Sequence, residues 1–95
     1  MRVAVIGVGH LGKHHARILA SLPAVDLVAV ADTNHARADE IAAAHNTRAV
    51  YTAHELIGQV DAVSIAVPTE QHLAVALPFL TAGVAFRIAG AIKHH

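Results

Sequence analysis

Segments dominated by apolar residues recur along the chain and predict the strands. They lack the apolar–polar alternation of a half-exposed strand, so each is typical of a strand buried on both faces of a parallel sheet. The predicted strands lie at residues 3–6, 25–31, 49–51, 61–67 and 84–88.

Between the strands, apolar residues return at helical spacing. Thr33 or Asn34 can cap the second helix, and Pro78 is expected to kink the last one. Because strands and helices alternate, we expect right-handed crossovers and an α/β fold. Residues 1–95 are therefore predicted to form a single domain, a Rossmann-like doubly wound parallel sheet of about five strands. The predicted helices lie at residues 11–22, 35–45, 53–57 and 70–83.

A glycine-rich turn follows the first predicted strand directly and opens the first helix. Its sequence, Gly-Val-Gly-His-Leu-Gly at residues 7–12, has the G-x-G-x-x-G spacing. Gly7 permits a tight turn, Gly9 lets a pyrophosphate approach the main chain, and Gly12 lets the helix pack closely on the strand.

The same turn supplies main-chain donors for an anion. The N–H groups at the start of a helix have no intrahelical acceptor, and the helix dipole is positive there. The alternative is a tight strand–helix turn that binds no ligand. We expect the pyrophosphate of a dinucleotide to be held by the N–H groups of Val8, Gly9, His10 and Leu11.

Asp32 ends the second predicted strand, 20 residues after Gly12. At this position a carboxylate can accept hydrogen bonds from both hydroxyls of the adenosine ribose, which predicts NAD rather than NADP as the cofactor. Arg37 lies five residues further on, within a helix, and is not expected to clamp a 2′-phosphate. The alternative role for Asp32 is that of a helix N-cap.

The chain from residue 1 to about residue 84 resembles the N-terminal half of the Gfo/Idh/MocA family. The residues that carry the resemblance are 7–16, with His15-Ala16 after the glycine turn, 30–32, and 61–69 with His72 beyond them. The resemblance implies a nicotinamide-dependent dehydrogenase of sugars or cyclitols, with a separate C-terminal substrate half. It also implies that Val67, Pro68 and His72 flank the cofactor near its nicotinamide.

The pattern of the family stops after Gly83. The Glu-Lys-Pro motif, whose lysine is a usual catalytic residue of the family, does not follow, and Lys93 lies too far along to replace it. We therefore assign no catalytic residue, expect the substrate domain to be absent and expect cofactor binding rather than turnover. Two alternatives remain open, an NAD-binding regulatory or interaction module and a non-functional truncated remnant.

Charge and composition narrow the choice of partners. Seven Lys and Arg balance seven Asp and Glu, so no basic excess predicts a nucleic-acid or membrane-surface partner. No cysteine is present, and His10 and His14, although four residues apart, lack a carboxylate partner, so no metal site is predicted. No apolar stretch approaches the roughly 20 residues of a membrane span, and the cytoplasm is expected. Uncovered apolar surface predicts a homo-oligomer.

Overall fold

Strands and helices alternate along the part of the chain that the computed structural model describes, residues 1–66 and 85–88. Each strand predicted from the sequence is present, with shifts of one or two residues at its ends. The elements are β1 (Arg2–Ile6), α1 (His10–Ser21), β2 (Asp26–Ala31), α2 (His35–Ala44), β3 (Arg48–Val50), a 3₁₀ turn (Ala53–Leu56), β4 (Ala62–Ile65) and β5 (Ala85–Ile88).

The strands form one parallel sheet in the order β3-β2-β1-β4-β5. The chain first builds outwards from β1 through β2 to β3, and then returns to the other side of β1 with β4. In sheets of this kind ligands bind outside the carboxyl ends of the strands, at the point where the strand order reverses. The expected Rossmann-like fold is confirmed. A ligand site is therefore expected at the carboxyl ends of β1 and its neighbouring strands.

Both faces of the sheet are covered, which explains the unbroken apolar runs. Successive side chains of β1 point to opposite faces, so Ala4 and Ile6 belong to one buried cluster and Val5 to the other. Val8, from the turn after β1, packs into the second cluster, as does Ile41 of α2. The glycine turn is therefore anchored to the hydrophobic core by a side chain of its own.

The ends of α2 have clear local causes. Of the two predicted caps the structure uses Asn34, whose Oδ1 accepts a hydrogen bond from the Arg37 N–H at 3.1 Å. The helix stops at Ala44, and Asn46 beyond it takes a left-handed conformation with a φ of 52°, which asparagine tolerates better than most residues. These two asparagines mark the two ends of α2.

Some predictions differ from the structure or lie outside it. The segment predicted as a brief helix is a single 3₁₀ turn, and β4 is shorter than the predicted strand at both ends. The predicted helix at residues 70–83 and its kink at Pro78 lie outside the described residues. No helix in the described part of the chain has the length and apolar character needed to cross a membrane.

Candidate functional site

The glycine turn joins β1 to α1 by a close main-chain contact. Gly7 has a φ of 87°, a left-handed conformation that favours glycine, and its N–H donates to the Ala31 carbonyl at 2.7 Å. A Cβ on Gly12 would lie 1.6 Å from the Gly7 carbonyl oxygen. Because a side chain cannot share that space with the main chain, glycine is required at position 12 for α1 to begin where it does.

Gly9 is the N-cap residue of α1, and its carbonyl accepts the Lys13 N–H at 2.8 Å. The N–H groups that open a helix lack intrahelical acceptors and carry the positive end of its dipole. A Cβ on Gly9 would sit 3.4 Å from Nη1 of Arg37, which is close to an ordinary van der Waals distance. The Arg37 guanidinium therefore borders the main chain at the start of α1.

One of the main-chain groups expected to hold the phosphates, the N–H of Val8, has a partner within the protein. This N–H donates to Oδ2 of Asp32 at 3.0 Å. The reason is the parallel pairing of β1 with β2, which places the residues just after the two strands side by side. The other main-chain donors predicted for an anion are those of positions 9, 10 and 11, and the role of Val8 at the phosphates stays a prediction.

Asp32 lies at the end of β2, where its side chain is mostly withdrawn from solvent, with 11% exposed. Its Oδ1 accepts the Asn34 N–H at 2.9 Å, while its Oδ2 accepts the Val8 N–H. The alternative role as helix N-cap belongs to Asn34 instead. A carboxylate offers about four lone-pair directions, so these two main-chain bonds leave capacity for a ligand hydroxyl.

Arg37 lies beside Asp32, a contact that the sequence analysis did not predict. Its Nη1 is 3.6 Å from Oδ2 of Asp32. The cap at Asn34 starts α2 so that Arg37, in the first turn of the helix, lies beside Asp32 at the end of β2. The position of Arg37 in the first turn after the Asn34 cap could have predicted this contact. Its distance in sequence from Asp32 alone could not.

An open cavity of about 380 Å³ lies between the glycine turn and the two helices. It carries two cationic side chains and one carboxylate, so its charge is net positive. Its walls are formed by Val8, Gly9, Lys13, Arg37, Glu40 and Ile41.

The end of β4 reaches the same edge of the sheet as the glycine turn. The Ala66 N–H donates to the Ile6 carbonyl at 2.8 Å, and the Ala66 Cβ lies 3.3 Å from the position a Cβ would take on Gly12. Ala66 therefore lies next to the amino end of α1. The predicted nicotinamide-flanking residues Val67, Pro68 and His72 themselves lie outside the described residues.

The sequence of this chain is similar to those of known oxidoreductases. Residues 1–88 match the Gfo/Idh/MocA family, described as an oxidoreductase family with an NAD-binding Rossmann fold. The UDP-N-acetylglucosamine 3-dehydrogenase of Acidithiobacillus ferrooxidans is 48% identical over 84 residues, which are 88% of this chain and 26% of the relative. The inositol 2-dehydrogenase of Rhizobium meliloti is 36% identical over 86 residues, 90% of this chain and 26% of that protein.

Solved structures agree. The Acidithiobacillus ferrooxidans enzyme superposes with a TM-score of 0.84 at 46% identity, over 90% of this chain and 28% of that one. GenD2 from gentamicin A biosynthesis, solved in complex with NAD, superposes with a TM-score of 0.86 at 31% identity. The superposition covers 90% of this chain and 25% of GenD2. The chain thus spans about a quarter of the length of its relatives. It belongs to the Gfo/Idh/MocA oxidoreductase family and corresponds to that family's NAD-binding Rossmann domain.

Proposed function

We propose that the chain binds NAD across the carboxyl ends of β1 and β2, with the pyrophosphate at the start of α1 and the adenosine ribose at Asp32. The observation that carries this proposal is the hydrogen bond from the Val8 N–H to the Asp32 carboxylate, at 3.0 Å. It holds the Asp32 carboxylate against the glycine turn, which supports one continuous site for the pyrophosphate and the adenosine ribose.

The residues present fit such a cofactor. Gly9 places no side chain over the main chain at the helix start, where N–H groups and the helix dipole favour a diphosphate. Asp32 retains lone pairs for the ribose hydroxyls after its two main-chain bonds. Bound NAD would supply a hydride acceptor at its nicotinamide ring. The chain's own contribution, in this proposal, is to hold and orient that cofactor, with Val67, Pro68 and His72 beside the nicotinamide.

For a longer protein that contains this domain, we propose hydride transfer between NAD and a hydroxyl carbon of a sugar or cyclitol. The names of the two relatives above, a nucleotide-sugar dehydrogenase and an inositol dehydrogenase, support this class of substrate. The 95 residues lack the Glu-Lys-Pro motif after Gly83. We therefore propose binding without turnover for the chain taken alone.

A thermal melt with and without NAD tests the binding proposal. A ligand at 100 times its dissociation constant adds about 2.7 kcal/mol to the free energy of unfolding. For a domain of this size that corresponds to a rise in Tm on the order of 10 °C. An unchanged Tm at millimolar NAD would contradict the proposal and favour the truncated remnant.

We also propose that two copies of the chain associate through apolar surface. Ile18 and Leu22 lie one turn apart at the end of α1, with 49% and 42% of their surface exposed. Association would remove this surface from water. Light scattering coupled to size exclusion should give the mass of a dimer, and a monomer mass at every concentration would exclude it.

A further inference from the structure

We infer that Tyr51 is a positioning residue of the proposed site. Together with Asp39 and His35 it holds the loop between β2 and α2, and through that loop it holds the Asp32 carboxylate in place. The inference rests on the proposed binding of NAD. It adds to that site a side chain from the end of β3, which is not itself expected to contact the ligand.

Tyr51 follows β3 directly and contacts α2 in two places. Its hydroxyl donates to Oδ1 of Asp39 at 2.6 Å. Its ring stacks on the ring of His35, with the two centroids 4.0 Å apart and an angle of 27° between the planes. His35 is the first residue of α2, and Asp39 lies one turn further on. Because a hydrogen bond to a carboxylate is charge-assisted, the hydroxyl makes a strong contact in addition to the stack.

The loop between β2 and α2 is short and is bonded near both of its ends. At the β2 end, the Asp32 N–H donates to the carbonyl of Val50, the residue before Tyr51, at 3.2 Å. At the α2 end, the Asn34 N–H donates to the Asp32 side chain at 2.9 Å, and His35 follows Asn34 immediately. Tyr51 therefore contacts one end of the loop through His35, while its neighbour Val50 contacts the other.

These contacts restrict the Asp32 carboxylate before a ligand binds. To turn away from the Val8 N–H, the loop would have to break several of them together. A group already held in its binding geometry loses less conformational freedom when the ligand binds. If the loop opened, the observed affinity would fall with the fraction of molecules in the competent form. Loss of the Tyr51 contacts should therefore weaken NAD binding although no proposed ligand contact is removed.

Titration calorimetry of the full chain with NAD tests the inference in the wild type, Tyr51→Phe and His35→Ala. Tyr51→Phe removes the hydroxyl and keeps the ring, whereas His35→Ala removes the stack and keeps the hydroxyl. Each should weaken NAD binding about three- to tenfold, the change expected for one lost hydrogen bond or ring contact. Asp39→Asn, whose amide oxygen can still accept from Tyr51, should recover part of the affinity that Asp39→Ala loses.

Thr52→Val is the matched control for Tyr51→Phe. Thr52 is the next residue along the chain, and its hydroxyl also contacts a carboxylate, that of Glu55, at 3.0 Å. This bond joins the two ends of the 3₁₀ turn after β3. Its loss should leave the NAD affinity within about twofold of the wild type, as for most surface substitutions.

A double-mutant cycle shows whether Tyr51 acts through Asp32. Tyr51→Phe should weaken NAD binding in the wild type but add no further loss in Asp32→Ala, because the carboxylate that it positions is then missing. An NMR titration can follow the weaker binding of the Asp32→Ala variants. The inference is wrong if Tyr51→Phe lowers only the stability in urea, or if it weakens NAD binding equally in both backgrounds. A wild type that does not bind NAD would instead overturn the proposed function.

Discussion

Two arginine–aspartate pairs lie at opposite ends of the sheet and differ in what surrounds them. At the amino end, Nη2 of Arg2 is 3.3 Å from Oδ1 of Asp61, and the two side chains are 52% and 47% exposed. At the carboxyl end, Arg37 and Asp32 are slightly further apart, but only 11% of the Asp32 side chain is exposed. By distance alone, the amino-end pair would be the stronger ion pair.

The main-chain donors around each carboxylate instead point to the carboxyl-end pair as the candidate ligand site. Asp61 accepts the N–H of Arg2, its own ion-pair partner, at 2.7 Å and so joins the start of β1 to the start of β4. Asp32 instead accepts N–H groups from the glycine turn and from the start of α2, beside a cavity. An exposed ion pair contributes about 1 kcal/mol or less to stability. A withdrawn carboxylate with spare lone pairs at a helix start can bind a ligand.

The largest effect is expected at the turn that creates the carboxyl-end site. Gly12→Ala places a Cβ against the Gly7 carbonyl oxygen, and because the obstacle is main chain it should cost more than about 3 kcal/mol and abolish NAD binding. Gly58→Ala is the control. Gly58, unlike Gly12, has a positive φ, of 87°, but nothing lies within 4 Å of its Cβ position, so only a strain of about 1–2 kcal/mol is expected. Urea unfolding measures both, and equal losses would contradict the account.

The next largest effect is a difference in NAD affinity between variants of the two aspartates. Asp32→Ala should weaken NAD binding about 10- to 100-fold, because it removes the charged acceptor for the ribose hydroxyls. Asp61→Ala removes a similar ion pair from the far end of the sheet and should leave NAD affinity within about twofold, since exposed pairs contribute little. Titration calorimetry of both variants measures the affinities. Equal losses, or none in either variant, would show that the carboxyl-end pair is no more than a structural contact.

The smallest effect concerns stability and pH at the amino end. The main-chain N–H of Arg2, and then its guanidinium, hold the pKa of the Asp61 carboxyl below its ordinary value. A lowered pKa in the folded state means that ionised Asp61 stabilises the fold above the ordinary carboxyl pKa of about 3.9, and that this contribution disappears as pH falls through the lowered value. Asp61→Asn should therefore be less stable than the wild type at about pH 5–8.

Urea unfolding at several pH values checks this prediction. The stability difference between the wild type and Asp61→Asn should stay constant from about pH 8 to pH 5 and shrink below about pH 4. Asp26→Asn, at the exposed start of β2, controls for the general effect of removing a carboxylate. A stability difference that grows as pH falls would contradict the lowered pKa of Asp61.

The fold was predictable because its signals are local. An unbroken apolar run such as residues 3–6 is typical of a parallel strand covered on both faces, and the glycine turn that follows this run marks where the strand ends. The pairing of the Val8 N–H with Asp32 was not predictable, because it depends on which strands become neighbours. The contact of Arg37 with Asp32 was not predicted for a related reason: residue spacing along the chain does not show that a helix capped at Asn34 places its first turn beside the end of β2.

An amide-resolved NMR titration of the chain with NAD tests the central claim most directly. The predicted result is that the largest shift changes fall on the main-chain amides of residues 9–12 and on Val8 and Asn34, whose N–H groups bond to Asp32. Amides at the opposite edge, such as those of Arg2 and Asp61, should stay unchanged. Saturable changes confined to that opposite edge, or no changes at millimolar NAD, would contradict it.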